Sequence, residues 1–362
     1  MWAPDSHLLA VGAANGVRLY DADAPDTAPR RLRGESGRVT SLAFAPQGRS
    51  LAAGFENGEV LLWSPVESYY LRVLEDHVLP VWHLVFNPDG TRLASGGGMT
   101  PGRVAGCTSD DDYQDTDVRI WDVATGELLA KLDGLGEVRA LAFDSTGDIV
   151  MAGTSEHCAG RDMMRGSILR WDVQTGARLS AWRVRDPIVF SGDGQAAATN
   201  RFDTPGLQVL ELETGDRIWA TTDSSFFRDL QVDLDNHVVA AAAGQYMGFC
   251  TAVQVWDAAT GDELFAVPAC NPIALDPRGR FLVTGRGETE PTDAGQQYVD
   301  NTVRFWSIPG GELIATLDGR DGWVSQIALS SDGVFMALVL EPDPYGVGLW
   351  EDATVEVWNI DV

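Results

Sequence analysis

Lysine is nearly missing from this chain. A single lysine, Lys131, stands among 26 basic residues, against 53 acidic ones, and the net charge is −27. A field of that sign repels a phosphate backbone, so nucleic acid is not the expected partner. Proteins or peptides of basic or mixed charge, or cations, are favoured instead. Solubility explains the same charge, because an acidic surface keeps molecules apart. Cysteine is scarce as well: Cys107, Cys158, Cys250 and Cys270 are too few for a disulfide scaffold. No C-x-x-C occurs, which removes the common zinc and redox motifs. No run of about twenty apolar residues exists, so no membrane-spanning helix is expected. The opening residues, MWAPDSHLLAVGAANG, have no basic region and no apolar signal core, which reads as a mature or cytosolic chain, or as a fragment. Histidine is limited to His7, His77, His83, His157 and His237. No G-x-S-x-G, H-E-x-x-H, P-loop or G-x-G-x-x-G is found, and no motif pairs a nucleophile with a base.

What the chain does have is repetition. Eight short β-type runs, VRLYDAD, VLLWSPV, VRIWDVATGE, ILRWDVQTGA, LQVLELETGD, VQVWDAATGD, VRFWSIPGGE and VEVWNID, carry a large residue at one aligned place. These residues are Tyr20, Trp63, Trp121, Trp171, Leu210, Trp256, Trp306 and Trp358. Residues 136–182 show the full unit. GEVRALAF alternates as a strand, DSTGD turns, IVMAGTS is a second strand, SILRWD a third, VQTG turns again, and ARLSAW is a fourth. That order predicts a four-stranded antiparallel meander. Turns such as Pro88-Asp89-Gly90 and Pro46-Gln47-Gly48, and again Ala124-Thr125-Gly126 and Gln174-Thr175-Gly176, recur where the meander needs them.

With the WD dipeptide at Trp121-Asp122, Trp171-Asp172 and Trp256-Asp257, nearly the whole chain resembles the WD-repeat β-propeller family. The resemblance implies an all-β single domain, with radial four-stranded blades around a channel. Eight blades are favoured over seven, with approximate units 1–33, 34–75, 76–134, 135–183, 184–222, 223–268, 269–318 and 319–362. The first and last are incomplete, as though cut from something longer. The family's Gly-His dipeptide is absent, and Asp76-His77 is its nearest echo. In the family that histidine joins a buried network with an aspartate from the loop before the third strand. Asp117, Asp300 and Asp352 keep roughly that place, but their histidine partner is mostly gone, so the blades are expected to hold by packing more than by the network.

Insertions all follow second strands, at 97–116, 155–166, 200–206, 244–251, 286–300 and 341–352, so one face is elaborated and the other trimmed. The partner-binding residues expected there are Trp82, Tyr113, Arg161, Arg165, Arg201, Phe226, Tyr246, Arg286, Tyr298, Trp323, Tyr345 and Trp350, the residue types that dominate interfaces. Trp82 and Trp323 begin first strands, near the channel mouth. Two disulfides, Cys107–Cys158 and Cys250–Cys270, fit the same map, with idle thiols as the alternative. They would place the chain outside the reducing cytoplasm; without them it is cytoplasmic. Asp110, Asp111, Asp112, Asp115 and Asp117 crowd one insertion, but the EF-hand spacing is missing, so a solvated acidic loop is preferred over a weak calcium site. The reading is a non-catalytic protein or peptide interaction scaffold, alone or within a larger chain or assembly, with no cofactor. The alternatives are an extracellular, disulfide-stapled, calcium-dependent ligand binder and, least favoured, a hydrolase-type propeller enzyme.

Overall fold

The computed structural model describes residues 1–4, 7–14, 16–32, 37–65, 69–98, 115–134, 136–156, 165–201, 205–222, 225–244, 250–286, 289–292, 295–298, 302–318, 322–341 and 354–360. Every regular element among them is a strand. No helix there is long and apolar enough to cross a membrane. Residues 1–196 with 212–215 form one compact unit, and residues 197–211 with 216–362 form a second.

The first unit opens with a three-stranded sheet of β1 (Leu8–Ala13), β2 (Gly16–Asp21) and β3 (Arg30–Leu32). A four-stranded meander follows: β4 (Val39–Phe44), β5 (Leu51–Phe55), β6 (Val60–Ser64) and β7 (Tyr69–Leu74). The next is β8 (Val81–Phe86), β9 (Arg92–Gly97), β10 (Val118–Asp122) and β11 (Leu128–Leu132). Then come β12 (Glu137–Phe143), β13 (Ile149–Glu156), β14 (Arg165–Asp172) and β15 (Arg178–Phe190). The second unit contains β16 (Ala196–Asn200), β17 (Leu207–Glu211) and β18 (Arg217–Ala220). After these lie β19 (Phe226–Asp233), β20 (Val238–Gly244), β21 (Cys250–Asp257) and β22 (Glu263–Val267). The following sheet joins β23 (Cys270–Leu275) and β24 (Phe281–Arg286) to two later strands, with the hairpin β25 (Thr289–Thr292) and β26 (Gly295–Tyr298) in between. Those later strands are β27 (Val303–Ser307) and β28 (Leu313–Leu317). Last come β29 (Trp323–Leu329), β30 (Phe335–Glu341) and β31 (Thr354–Asn359).

Three details depart from the sequence reading. β15 runs for 13 residues and fuses the expected fourth strand to the start of the next unit. No Gly or Pro interrupts residues 178–186, so nothing there forces a turn. The 286–300 insertion contains a strand pair, β25 with β26, rather than irregular loop alone. The ladder of β13 and β14 runs out to Glu156 opposite Arg165, so the 155–166 insertion is shorter than it reads.

Five of the six repeated tryptophans are buried in the core, and Trp358 is partly buried against it. Trp63 and Trp171 are among the largest fully buried side chains. Trp63 lies 6.3 Å from Phe55, and Trp256 meets Phe227 edge-on at 5.4 Å. The aspartate of the WD dipeptide has a different task. Asp122 Oδ1 accepts the amide of Thr125 at 2.7 Å and its hydroxyl at 3.0 Å. Asp172 does the same for Thr175, and Asp257 accepts the Thr260 amide. Each carboxylate closes the turn into the fourth strand, and those bonds hold it below the usual carboxylate range. Neighbouring sheets meet closely at second-strand glycines. A Cβ on Gly96 would sit 2.5 Å from Val138, and one on Gly54 would sit 2.8 Å from the Val81 carbonyl oxygen. Any side chain there would push successive sheets apart.

Candidate functional site

In each sheet the first strand begins, and the second ends, at the end that carries the insertions. Val39 faces Phe55 there, Val81 faces Gly97, Glu137 faces Ser155, and Trp323 faces Glu341. Just inside that end the ladder slips. The slip falls between Val39 and Ser41, Val81 and His83, Val138 and Ala140, Phe227 and Asp229, Cys270 and Ile273, and Val324 and Gln326. Each is a β-bulge, whose extra residue lacks a ladder partner and has its side chain re-aimed. In the first unit the bulge residues are Thr40, Trp82 and Arg139, on β4, β8 and β12, which pack side by side. In the second they are Arg228, the pair Asn271 and Pro272, and Ser325.

Of the expected binding residues, Trp82 occupies a bulge and is partly buried, and its indole Nε1 has no hydrogen-bond acceptor. Trp323 opens β29 and is partly buried. Arg201 donates to the Thr221 carbonyl at 3.4 Å. Arg165, Phe226, Arg286 and Tyr298 take places in ladders opposite Glu156, Gly244, Cys270 and Thr289 respectively. Tyr113, Arg161, Tyr246, Tyr345 and Trp350 lie outside the described residues, as do Asp110, Asp111, Asp112, Cys107 and Cys158. Thr40, Arg139 and Ser325 were missed, although the sequence carries their signal. Strict alternation places apolar residues two apart, yet Val81, Leu84 and Phe86 are spaced three then two. Val39, Leu42 and Phe44 repeat this, as do Val138, Leu141 and Phe143. One extra residue between the first pair is what a bulge requires.

A buried polar constellation sits behind this end of the 76–134 sheet. Trp121 Nε1 donates to Ser95 Oγ at 2.8 Å, and His77 Nε2 lies 2.8 Å from the same oxygen. Asp115 Oδ1 is 3.2 Å from His77 Nδ1, and Asp115 Oδ2 accepts the amides of Val78 at 2.7 Å and Leu79 at 2.9 Å. Arg119 enters the same pocket. Its Nη1 is 2.6 Å from both His77 Nδ1 and Asp115 Oδ1, and its Nε is bonded to Asp76. Burial holds His77 below its ordinary value. Burial also opposes ionisation of Asp115, but His77, the Leu79 amide and Arg119 outweigh it and bring its carboxyl to about 2. Asp117 accepts from the Gly134 amide and lies 3.6 Å from Lys131 Nζ. The carboxylates of Asp115 and Asp117 are thus both engaged within the protein. Ser95, His77 and Asp115 stand in the order of a hydrolytic triad, a pairing the sequence did not reveal. Yet Ser95 is fully buried, and its oxygen already accepts from the Trp121 indole and bonds to His77 Nε2. Substrate has no approach to it.

Comparison with known proteins bears on this geometry. The family described as "WD domain, G-beta repeat" matches residues 27–64 and 68–122. The chain carries WD repeats of that family in its first third. Guanine nucleotide-binding protein subunit beta of Zea mays is 22% identical over 357 residues, covering 91% of this chain and 82% of that protein. Eukaryotic translation initiation factor 3 subunit I of Nematostella vectensis is 21% identical, covering 84% of this chain and 91% of its own. Target of rapamycin complex subunit wat1 of Schizosaccharomyces pombe is 26% identical over 234 residues, covering 62% of this chain and 64% of its own. The crystal structure of the computationally designed Ika8 protein superposes with a TM-score of 0.68 at 22% identity, over 99% of this chain and 95% of that one. The fold is a β-propeller built from four-stranded antiparallel blades. In this chain the expectation that packing replaces the buried network fails for the blade at 76–134. The network there is complete, and it uses Asp115 in place of the expected Asp117, with Asp76 and Arg119 joined to it.

Proposed function

We propose that the chain is a non-catalytic protein-interaction scaffold that receives its partner at the insertion end of its sheets. The observation that carries this is the row of bulges in adjacent first strands, which sets Trp82 beside Thr40 and Arg139 on a rigid β framework. Bulges re-aim side chains, and Trp and Arg are the residues that anchor interfaces. The relatives support the same reading, since each carries "subunit" in its name and so belongs to a larger assembly. The serine–histidine–aspartate set is sealed and serves the framework. The charge of −27 favours a partner with basic or mixed charge, steered in by the long-range field.

The test is affinity capture from the native assembly with matched amounts of folded protein. A Trp82→Ala, Arg139→Ala, Trp323→Ala variant should lose at least tenfold in partner recovery. A control variant, Leu129→Ala with Leu313→Ala on exposed outer strands, should recover partners as the wild type does. Loss in the control and not in the triple variant would move the site to the outer strands.

A further inference from the structure

We propose that Cys250 and Cys270 form a disulfide that staples two neighbouring sheets of the second unit at their insertion end. Cys270 is disulfide-bonded and 1% exposed. It belongs to the same buried apolar cluster as Ala240 and Ala242 of β20 and Val253 and Val255 of β21. Its sulfur therefore belongs to the layer between the β19–β22 sheet and its own. β23 lies directly against both β20 and β21. Cys250 opens β21 opposite Gly244, the last residue of β20. Cys270 opens β23 opposite Arg286, the last residue of β24. Both cysteines thus stand at the same end of adjacent sheets. Cys107 and Cys158, in the sequence after β9 and β13, lie outside the described residues. The bulge beside Cys270 sets Asn271 and Pro272 against the single residue Gly285.

Bond formation takes one electron and one proton from each thiol. A small-molecule disulfide such as oxidised glutathione accepts both and leaves as two thiols. The link closes a loop of about 20 residues, a size at which a disulfide adds measurably to stability. It persists only in oxidising surroundings, so the staple is absent from a reduced chain. The inference stands whether or not this end binds a partner.

Two measurements test it on the full chain. Cleavage before aspartate cuts ahead of Asp235, Asp257, Asp262 and Asp276, and so puts the two cysteines in separate peptides. A non-reduced digest after alkylation should show peptide 235–256 joined to peptide 262–275. Alkylated Cys250, or Cys270 joined to Cys107 or Cys158, would overturn the assignment. Thermal melts should then be run in a Cys107→Ser, Cys158→Ser background, with and without a dithiol reductant. The reductant should lower Tm by several degrees, and adding Cys250→Ser should abolish that shift. A melt that reductant leaves unmoved in the background variant would show that no staple exists.

Discussion

Arg119 is buried with its guanidinium divided among Asp76, Asp115 and His77, and Lys131, the chain's single lysine, lies 3.7 Å from Asp76 and 3.6 Å from Asp117. A buried pair contributes little beyond a well-packed apolar core, but breaking it is costly, because the surviving charge has no water. Arg119→Ala should therefore lose about 3–5 kcal/mol in denaturant unfolding. Asp76→Asn should lose less, since that side chain is 34% exposed. A loss under about 1 kcal/mol for Arg119→Ala would show that solvent reaches Asp115. The histidines set a pH dependence. Burial, helped by Arg139, pulls His83 to about 4, and burial also lowers His77. Below pH 6.5 the unfolded chain binds protons that the folded chain refuses, so stability falls from pH 6.5 down towards 4. Asp229 acts oppositely, because burial raises its carboxyl: as pH falls towards the ordinary carboxylate value the folded chain takes up that proton first, and the fall is blunted there. Tm measured between pH 7.5 and 5 should drop, and His83→Gln should shrink the drop. An unchanged slope in His83→Gln would assign the effect elsewhere.

At the scale of the strand and turn, much was legible. The WD dipeptide and the T-G turns located the third and fourth strands, because each element closes with its own short-range hydrogen bonds. The bulges were written in the three-then-two spacing of Val81, Leu84 and Phe86, which went unread. The fusion of fourth and first strands in β15 was hidden, since only tertiary pairing decides whether residues 178–190 turn or run on. The turn glycines show how blades interlock. Gly261 has φ +76°, and a Cβ there would sit 2.7 Å from Trp219 Cγ on the preceding sheet. Trp219 is held in turn by donating to the Ala258 carbonyl at 2.8 Å. Gly261→Ala combines a left-handed backbone with that collision and should destabilise by about 1–3 kcal/mol in chemical denaturation. A neutral result would mean that the Trp219 ring moves aside freely.

The whole molecule was legible as a class. Eight aligned runs and their turns named the repeat, and the fold comparison agrees over almost the full chain. The polar constellation was not legible. Asp115 and Arg119 are distant in sequence from His77 and Ser95, and Asp76 occupies the place of a family glycine, so no short motif announces them. The proposed binding end was only half legible, because its residues come from different blades and meet through the packing of first strands. The account therefore depends on what touches that end. Photo-crosslinking from a reactive residue placed at position 82, compared with one at the exposed outer-strand position 129, tests this most directly within the native assembly. The account predicts a partner adduct at 82 and none at 129, while an adduct at 129 with none at 82 would contradict it.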